Sequence, residues 1–226
     1  MNGKMGLINL QEIVVRCRKC PRLVVYLKEV SNHKPKRYQD WDYWSKPLPS
    51  FGDPEARVLI VGLAPAAQGG NRTGRMFTGD RSGEWLFNAL YEFGFANQPN
   101  SLRKDDGFKL DDCYITATIR CAPPQNKPLP EEIENCRPYF LEELDLLKNL
   151  KVLVPLGQIA FTQTLKTLRQ KGVNIPPLAF GHGNLYPLQN GQTLITTYHP
   201  SQQNTQTGKL TRPMFHRIFK MVREKL

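Results

Sequence analysis

Four short apolar runs rich in β-branched residues punctuate the chain: Arg57–Leu63 (RVLIVGL), Tyr114–Arg120 (YITATIR), Val152–Leu156 (VLVPL) and Thr193–Tyr198 (TLITTY). Runs of this length and composition read as buried strands. Between them the apolar period lengthens to that of a helix. Leu86, Leu90 and Phe93 recur at i, i+4, i+7 after a start signal at Asp80–Ser82. Pro130, followed by Glu131, Glu132 and Glu134, opens a helix carrying Leu141, Leu144 and Leu147, which Pro138 should bend. Gln158–Gln170 and Arg212–Leu226 predict two more helices, and Leu10–Val30, interrupted by Pro21, predicts one in two pieces. Strands alternating with helices imply an α/β fold with a parallel sheet covered on both faces. Asn32–Pro49, aromatic and basic with several prolines, reads as an irregular surface stretch. With no internal repeat, low-complexity segment or linker, one domain over residues 1–226 is expected.

The residues just past each strand are unusual. The first strand runs into Gly62-Leu63-Ala64-Pro65-Ala66, the second into Cys121-Ala122-Pro123-Pro124, the third into Gly157 and the fourth into His199-Pro200-Ser201. Special residues therefore collect at the carboxyl end of the sheet, where open α/β sheets build their ligand crevice.

Charge adds a partner. The formal net charge is +11, and residues 1–50 hold ten Lys/Arg against four Asp/Glu, residues 199–226 six against one, and the middle fifteen of each. Basic terminal segments are the footprint of a polyanion such as DNA, or else simply a solvated basic surface. No apolar run approaches the roughly 18 residues of a membrane span, and the N-terminus lacks a secretory h-region, which points to the cytoplasm or nucleoid.

Five cysteines without an export signal argue against a disulfide framework. Cys17 and Cys20 form a C-x2-C pair, and a second pair, Cys121 and Cys136, arrives from about a hundred residues away. That spacing is unlike a local zinc finger. Thiolate ligation suits zinc or an iron–sulfur cluster, and spacing alone leaves both open, as it does a set of buried core thiols. Cys113 heads a strand and reads as an ordinary buried thiol.

The connection Gly62–Gly83 is too long and too rich in Gly and polar groups for a mere turn. It lacks the GxxxxGK[ST] pattern of a phosphate-binding loop. Asp80, at its end, falls at the start of the next helix, where it serves either as a cap or as a catalytic carboxylate.

GLAPA at 62–66, NRTGRMFTGD at 71–80, RCAPP at 120–124 and HPS at 199–201, together with the four cysteines, resemble the iron–sulfur uracil-DNA glycosylases, most closely the branch known as family 5 or type B. The likeness runs from the first cysteines to the terminal helix. It implies a three-layer α/β/α sandwich with a central four-stranded parallel sheet, and a [4Fe–4S] cluster on Cys17, Cys20, Cys121 and Cys136. It also implies site roles. Phe77 would stack on a base flipped out of DNA, and Gly62, Leu63 and Ala64 would line its pocket. Asp80 would support the catalytic water or the developing cation, His199 would address the base O2, and Asn126 would stand near the water. Lys209 and Arg212, in the polar segment Gln202–Arg212, would contact phosphate. Related uracil-specific families carry Asn four residues before the third cysteine; here that position is Ala117, so a contact that discriminates uracil is missing, and strict uracil specificity is not expected. No lysine stands out as a nucleophile, so a single hydrolytic step by a monomeric enzyme is expected. A metal- or cluster-bearing nucleic-acid-binding module without enzymatic activity would explain the basic ends and the cysteines but not the residues gathered at the strand ends. A hydrolase of small nucleotides is disfavoured by the two basic segments.

Overall fold

The computed structural model describes residues 3–226. Six strands form one sheet: β1 (Phe51–Gly52), β2 (Val58–Gly62), β3 (Cys113–Ala117), β4 (Val152–Pro155), β5 (Leu185–Pro187) and β6 (Thr193–Ile195), in the order β1-β3-β2-β4-β6-β5. The four expected strands make the parallel centre, with Val58 opposite Cys113 and Val152, and Val152 opposite Thr193. Two short antiparallel strands, β1 and β5, extend it at either edge, so the sheet has two more strands than expected. The second and fourth strands also end earlier than the sequence suggests. Beyond β3 the chain still leans on its neighbour, since the Thr118 and Ile119 amides donate to the Gly62 and Leu63 carbonyls.

Among the described residues eight α-helices surround the sheet: α1 (Gly3–Arg16), α2 (Pro21–Asn32), α3 (Gly70–Thr73), α4 (Arg81–Glu92), α5 (Pro130–Leu146), α6 (Gln158–Gln170), α7 (Gln202–Gln206) and α8 (Arg212–Arg223). The expected two-piece helix is α1 and α2, separated by the C-x2-C turn. Every residue of β2 is buried, and its alternation explains why. Val58 and Ile60 pack with Leu86, Phe87 and Leu90 of α4 and Phe215, Ile218 and Phe219 of α8. Leu59 and Val61 face the other way, onto Leu7, Phe140, Phe161 and Leu165 from α1, α5 and α6. Each such aliphatic side chain withdrawn from water contributes about 1.5–3 kcal/mol, and burial on both faces is what a parallel sheet between helices requires. The result is an α/β/α sandwich whose strand ends converge on one edge.

Two segments without predicted structure fold locally. Gln202–Gln206, the start of the polar segment Gln202–Arg212, forms α7, which the Ser201 hydroxyl caps by accepting the Asn204 amide at 3.3 Å. The loop after β2 contains α3, closed by Gly74 in the left-handed conformation at φ 82°.

Candidate active site

A cavity of about 470 Å³ opens at the carboxyl ends of the strands, within the range of small-molecule sites. Leu63, Ala64, Phe77, Asp80, Ala117, Asn126 and His199 all line it. Gly62 lies just behind: a β-carbon there would come within 3.0 Å of the Phe77 ring, so glycine leaves room for the ring at the strand end. Phe77 itself is held at φ 59°, a left-handed conformation that costs a non-glycine residue roughly 1–2 kcal/mol. Gly83 allows it, since any β-carbon at that position would run into the Phe77 carbonyl. The Phe77 and His199 rings are inclined by 28° with centres 6.3 Å apart.

Asp80 is the N-cap of α4, its Oδ1 accepting the Gly83 amide at 2.8 Å. Burial lifts its carboxyl to about 6, against the pull of the Gly83 and Ser82 amides. Its Oδ2 lies close over Gly69, where a β-carbon would approach to 2.5 Å. The two readings that the sequence left open for Asp80 are therefore compatible in space: one carboxylate oxygen is occupied by the helix end while the side chain lines the cavity.

His199 follows β6. A β-carbon on Gly157 would come within 3.2 Å of its Cβ, and its carbonyl accepts the Asn204 side-chain amide at 2.9 Å. Its imidazole makes no side-chain hydrogen bond among the described residues, and burial pushes it down to about 4, so it is neutral near pH 7 with a free N–H. Asn126 sits on the rim in a short 3-10 turn, Pro124–Asn126, at φ 57°, a conformation that asparagine tolerates better than most residues. Ala117, at the end of β3, puts only a methyl group into the wall. Lys209 and Arg212 stand outside the cavity. Lys209 covers the Tyr198 ring at 4.9 Å and Arg212 the Trp85 ring at 4.9 Å. Ser82, Ser201, Gln202 and Gln203 also line the cavity. Sequence reasoning did not single them out individually, although Ser201 belongs to the HPS tripeptide.

A second, smaller cavity is walled by Cys17, Cys20, Cys121 and Cys136 together. Cys17 follows α1, Cys20 precedes α2, Cys121 follows β3 and Cys136 lies on α5. The guanidinium of Arg22 holds α2 to α5 through both oxygens of Glu132, at 2.8 and 2.7 Å. All four thiols are free of disulfides. Burial pushes Cys20 and Cys121 up and carries Cys136 to about 11, which favours the neutral thiol at each of the three. No three His, Cys, Asp or Glu side chains among the described residues are grouped to hold one metal ion. Cys113 is buried at the start of β3, away from this cavity.

Such a pocket at the ends of a parallel sheet belongs to a known class. The family model described as the uracil DNA glycosylase superfamily matches residues 49–223, and the chain belongs to that superfamily, in its type-5 branch. It is 48% identical over 204 residues to the type-5 uracil-DNA glycosylase of Thermus thermophilus, covering 90% of this chain and 91% of that one. The type-5 uracil-DNA glycosylase of Pyrobaculum aerophilum is 46% identical over 199 residues, covering 88% and 84%. That of Mycobacterium tuberculosis is 43% identical over 219 residues, covering 96% and 81%. No described helix is long and apolar enough to cross a membrane.

Proposed function

We infer that this chain is a monofunctional DNA glycosylase that hydrolyses the N-glycosidic bond of uracil in DNA and so starts base-excision repair. The observation that carries the reading is the convergence of Phe77, Asp80 and His199 on one cavity, in a chain of the uracil-DNA glycosylase superfamily. A base inside the duplex is out of reach, so it must be extruded, at a cost of a few kcal/mol that is least for a mismatched or damaged pair. Phe77 offers its ring as the platform for the extruded base. Cleavage breaks the bond between the sugar C1′ and the base nitrogen, and the electron pair leaves with the base. Water oxygen then bonds to C1′ and its proton is released. The transition state thus carries positive charge on the sugar and negative charge on the base. The Asp80 carboxylate, ionised above pH 6, stabilises the first and orients the water, with Asn126 on the rim of the same cavity. Neutral His199 donates its N–H to the second without bringing a full charge of its own.

The cavity also supports a wider substrate range. Ala117 and Ala64 leave the wall small and apolar where a side-chain amide would read the uracil edge, and about 470 Å³ sets no barrier to a purine. Hypoxanthine is therefore a second substrate. The basic terminal segments suit a protein that works on the nucleoid in the cytoplasm. Incubation with oligonucleotides containing uracil or hypoxanthine, with subsequent alkaline cleavage of the abasic product, tests both statements. No product from uracil sinks the first, and product from uracil alone sinks the second.

The four cysteines are proposed ligands of a [4Fe–4S] cluster. The donor set supports this: four thiols and no carboxylate or imidazole wall one cavity, and all-thiolate ligation suits an iron–sulfur cluster. Bound there, it would supply a structural cross-link between α1, α2, the end of β3 and α5. Iron content and visible absorbance of the purified protein test it.

A further inference from the structure

The aromatic, basic stretch before the first strand plays no part in the base cavity. Its rings join a stack of alternating cations and aromatics. The Arg37 guanidinium lies 4.7 Å from the Tyr38 ring centre, and Arg72 lies 4.0 Å from the rings of both Tyr38 and Trp41. Arg103 lies 4.6 Å from Trp41. A guanidinium that stacks through its face keeps the N–H groups at its edge for other partners. None of these three arginines is paired with a carboxylate among the described residues.

Tyr38, Trp41, Arg72 and Arg103 of this stack line a groove of about 540 Å³ together with Gly79, Asp80, Glu84 and Arg212. Asp80 therefore separates two cavities, the base cavity on one side and this groove on the other. Arg72 is only 3% exposed. Its Nε donates to the Gln68 carbonyl at 2.8 Å and its Nη2 to the Gly79 carbonyl at 2.9 Å, whereas Nη1 is buried with no hydrogen-bond partner. A buried N–H on a cation left without an acceptor is costly, and such groups ordinarily meet one.

We propose that this groove is a phosphate subsite, seating the backbone of the damaged strand immediately beside the flipped nucleotide, with Arg72, Arg103 and Arg212 as its donors. The proposal rests on the glycosylase reading, because a nucleotide whose base fills the cavity carries its sugar past Asp80 and its backbone onto the neighbouring surface. Planar guanidinium edges match phosphate oxygens, and contacts of this kind position the duplex without reading its sequence. Two acids face the groove as well. Asp80 gives its Oδ1 to the Gly83 amide, but Glu84 is exposed and opposes an anion.

The test measures binding of a uracil-containing duplex by fluorescence anisotropy across a salt series, in an Asp80→Asn background that leaves the substrate uncut. Arg103→Gln should weaken binding several-fold and reduce the slope of log affinity against log salt by about one. Glu84→Gln should tighten it. Replacing the phosphates flanking the uracil with neutral methylphosphonates should weaken binding with Arg103 present and cost the Arg103→Gln variant much less. An unchanged salt slope for Arg103→Gln, or an equal loss in both proteins on the neutral linkage, overturns the subsite. Uracil release by the otherwise unaltered enzyme is measured alongside: release together with an unchanged slope removes the subsite alone, whereas no release removes the glycosylase reading beneath it.

Discussion

The carboxylate of Asp80 accepts the Gly83 amide at 2.8 Å, so the group that caps α4 also forms part of the wall of the base cavity. Its raised pKa gives activity a pH signature. Excision that needs the carboxylate should rise with pH through about 6 and reach a plateau above it, because His199, at about 4, is already neutral there. Asp80→Asn keeps a cap acceptor but no charge, and should lose at least a hundredfold of single-turnover rate, about 2.7 kcal/mol. Near-native turnover by that variant would remove Asp80 from the chemistry.

Stability should move in the opposite direction from activity. A folded-state pKa above the unfolded one means that the protonated Asp80 is favoured by folding. The contribution is present in full below the ordinary carboxyl value near 3.8 and is lost as pH rises through about 6. Asp80→Asn should therefore be no less stable than the parent at pH 7.5, and more stable by up to roughly 2 kcal/mol after allowance for partial exposure. Urea unfolding of both proteins at pH 5 and 7.5 measures this, and a variant less stable at the higher pH contradicts it.

Phe77 depends on two glycines in different ways. At Gly62 an added methyl crowds the ring, at 3.0 Å, and meets the Thr116 carbonyl only at an ordinary 3.6 Å, so Gly62→Ala should fold normally while displacing the platform, and raise KM about tenfold. At Gly83 it meets the Phe77 backbone carbonyl, which cannot rotate away. Gly83→Ala should therefore lose ~3 kcal/mol of stability through overpacking. Thermal melts and steady-state kinetics separate the two effects; equal loss of stability in both variants would mean that the ring is not free to move.

Ala117 offers the strand-end wall only a methyl group. Ala117→Asn places a donor and an acceptor where a uracil edge can meet them, and should raise the ratio of uracil to hypoxanthine excision by about ten- to a hundredfold, the range of one good polar contact. If the two rates keep their ratio, the base does not lie against the end of β3.

The core strands and the cavity at their carboxyl ends were legible in the sequence because both arise from local patterns. A buried parallel strand is a continuous apolar run, and the residues just past four such runs must share one edge of the sheet. The missed features are short or non-local. β1 and β5 have two and three residues, too few to show an alternation. α7 depends on a serine cap within a polar segment that shows no apolar period. The Tyr38–Arg72–Trp41–Arg103 stack joins side chains from three separate segments, so no spacing announces it. Arg120 and Glu143 are another such pair. They meet at 2.6 Å in a completely buried ion pair, Arg120 directly preceding Cys121 and Glu143 lying on the helix that carries Cys136.

The cysteines can be told apart by what each removal leaves behind. Cys136 is buried in the wall of the four-thiol cavity, whereas Cys113 is buried among Val58, Phe95 and Ile115 at the foot of β3. If the cavity holds an iron–sulfur cluster, Cys136→Ser should abolish visible absorbance and bound iron. It should also lower the melting temperature sharply, because four chain segments lose their cross-link and Arg22–Glu132 is left as the nearest tie between α2 and α5. Cys113→Ala should keep colour and iron in full and cost only the ~1–2 kcal/mol of a small cavity in the core. Iron analysis and absorption spectra of the two variants beside the parent make the comparison. Equal iron in all three proteins, or zinc in place of iron, would separate these thiols from a cluster and leave them as ligands of a different metal or as ordinary core residues.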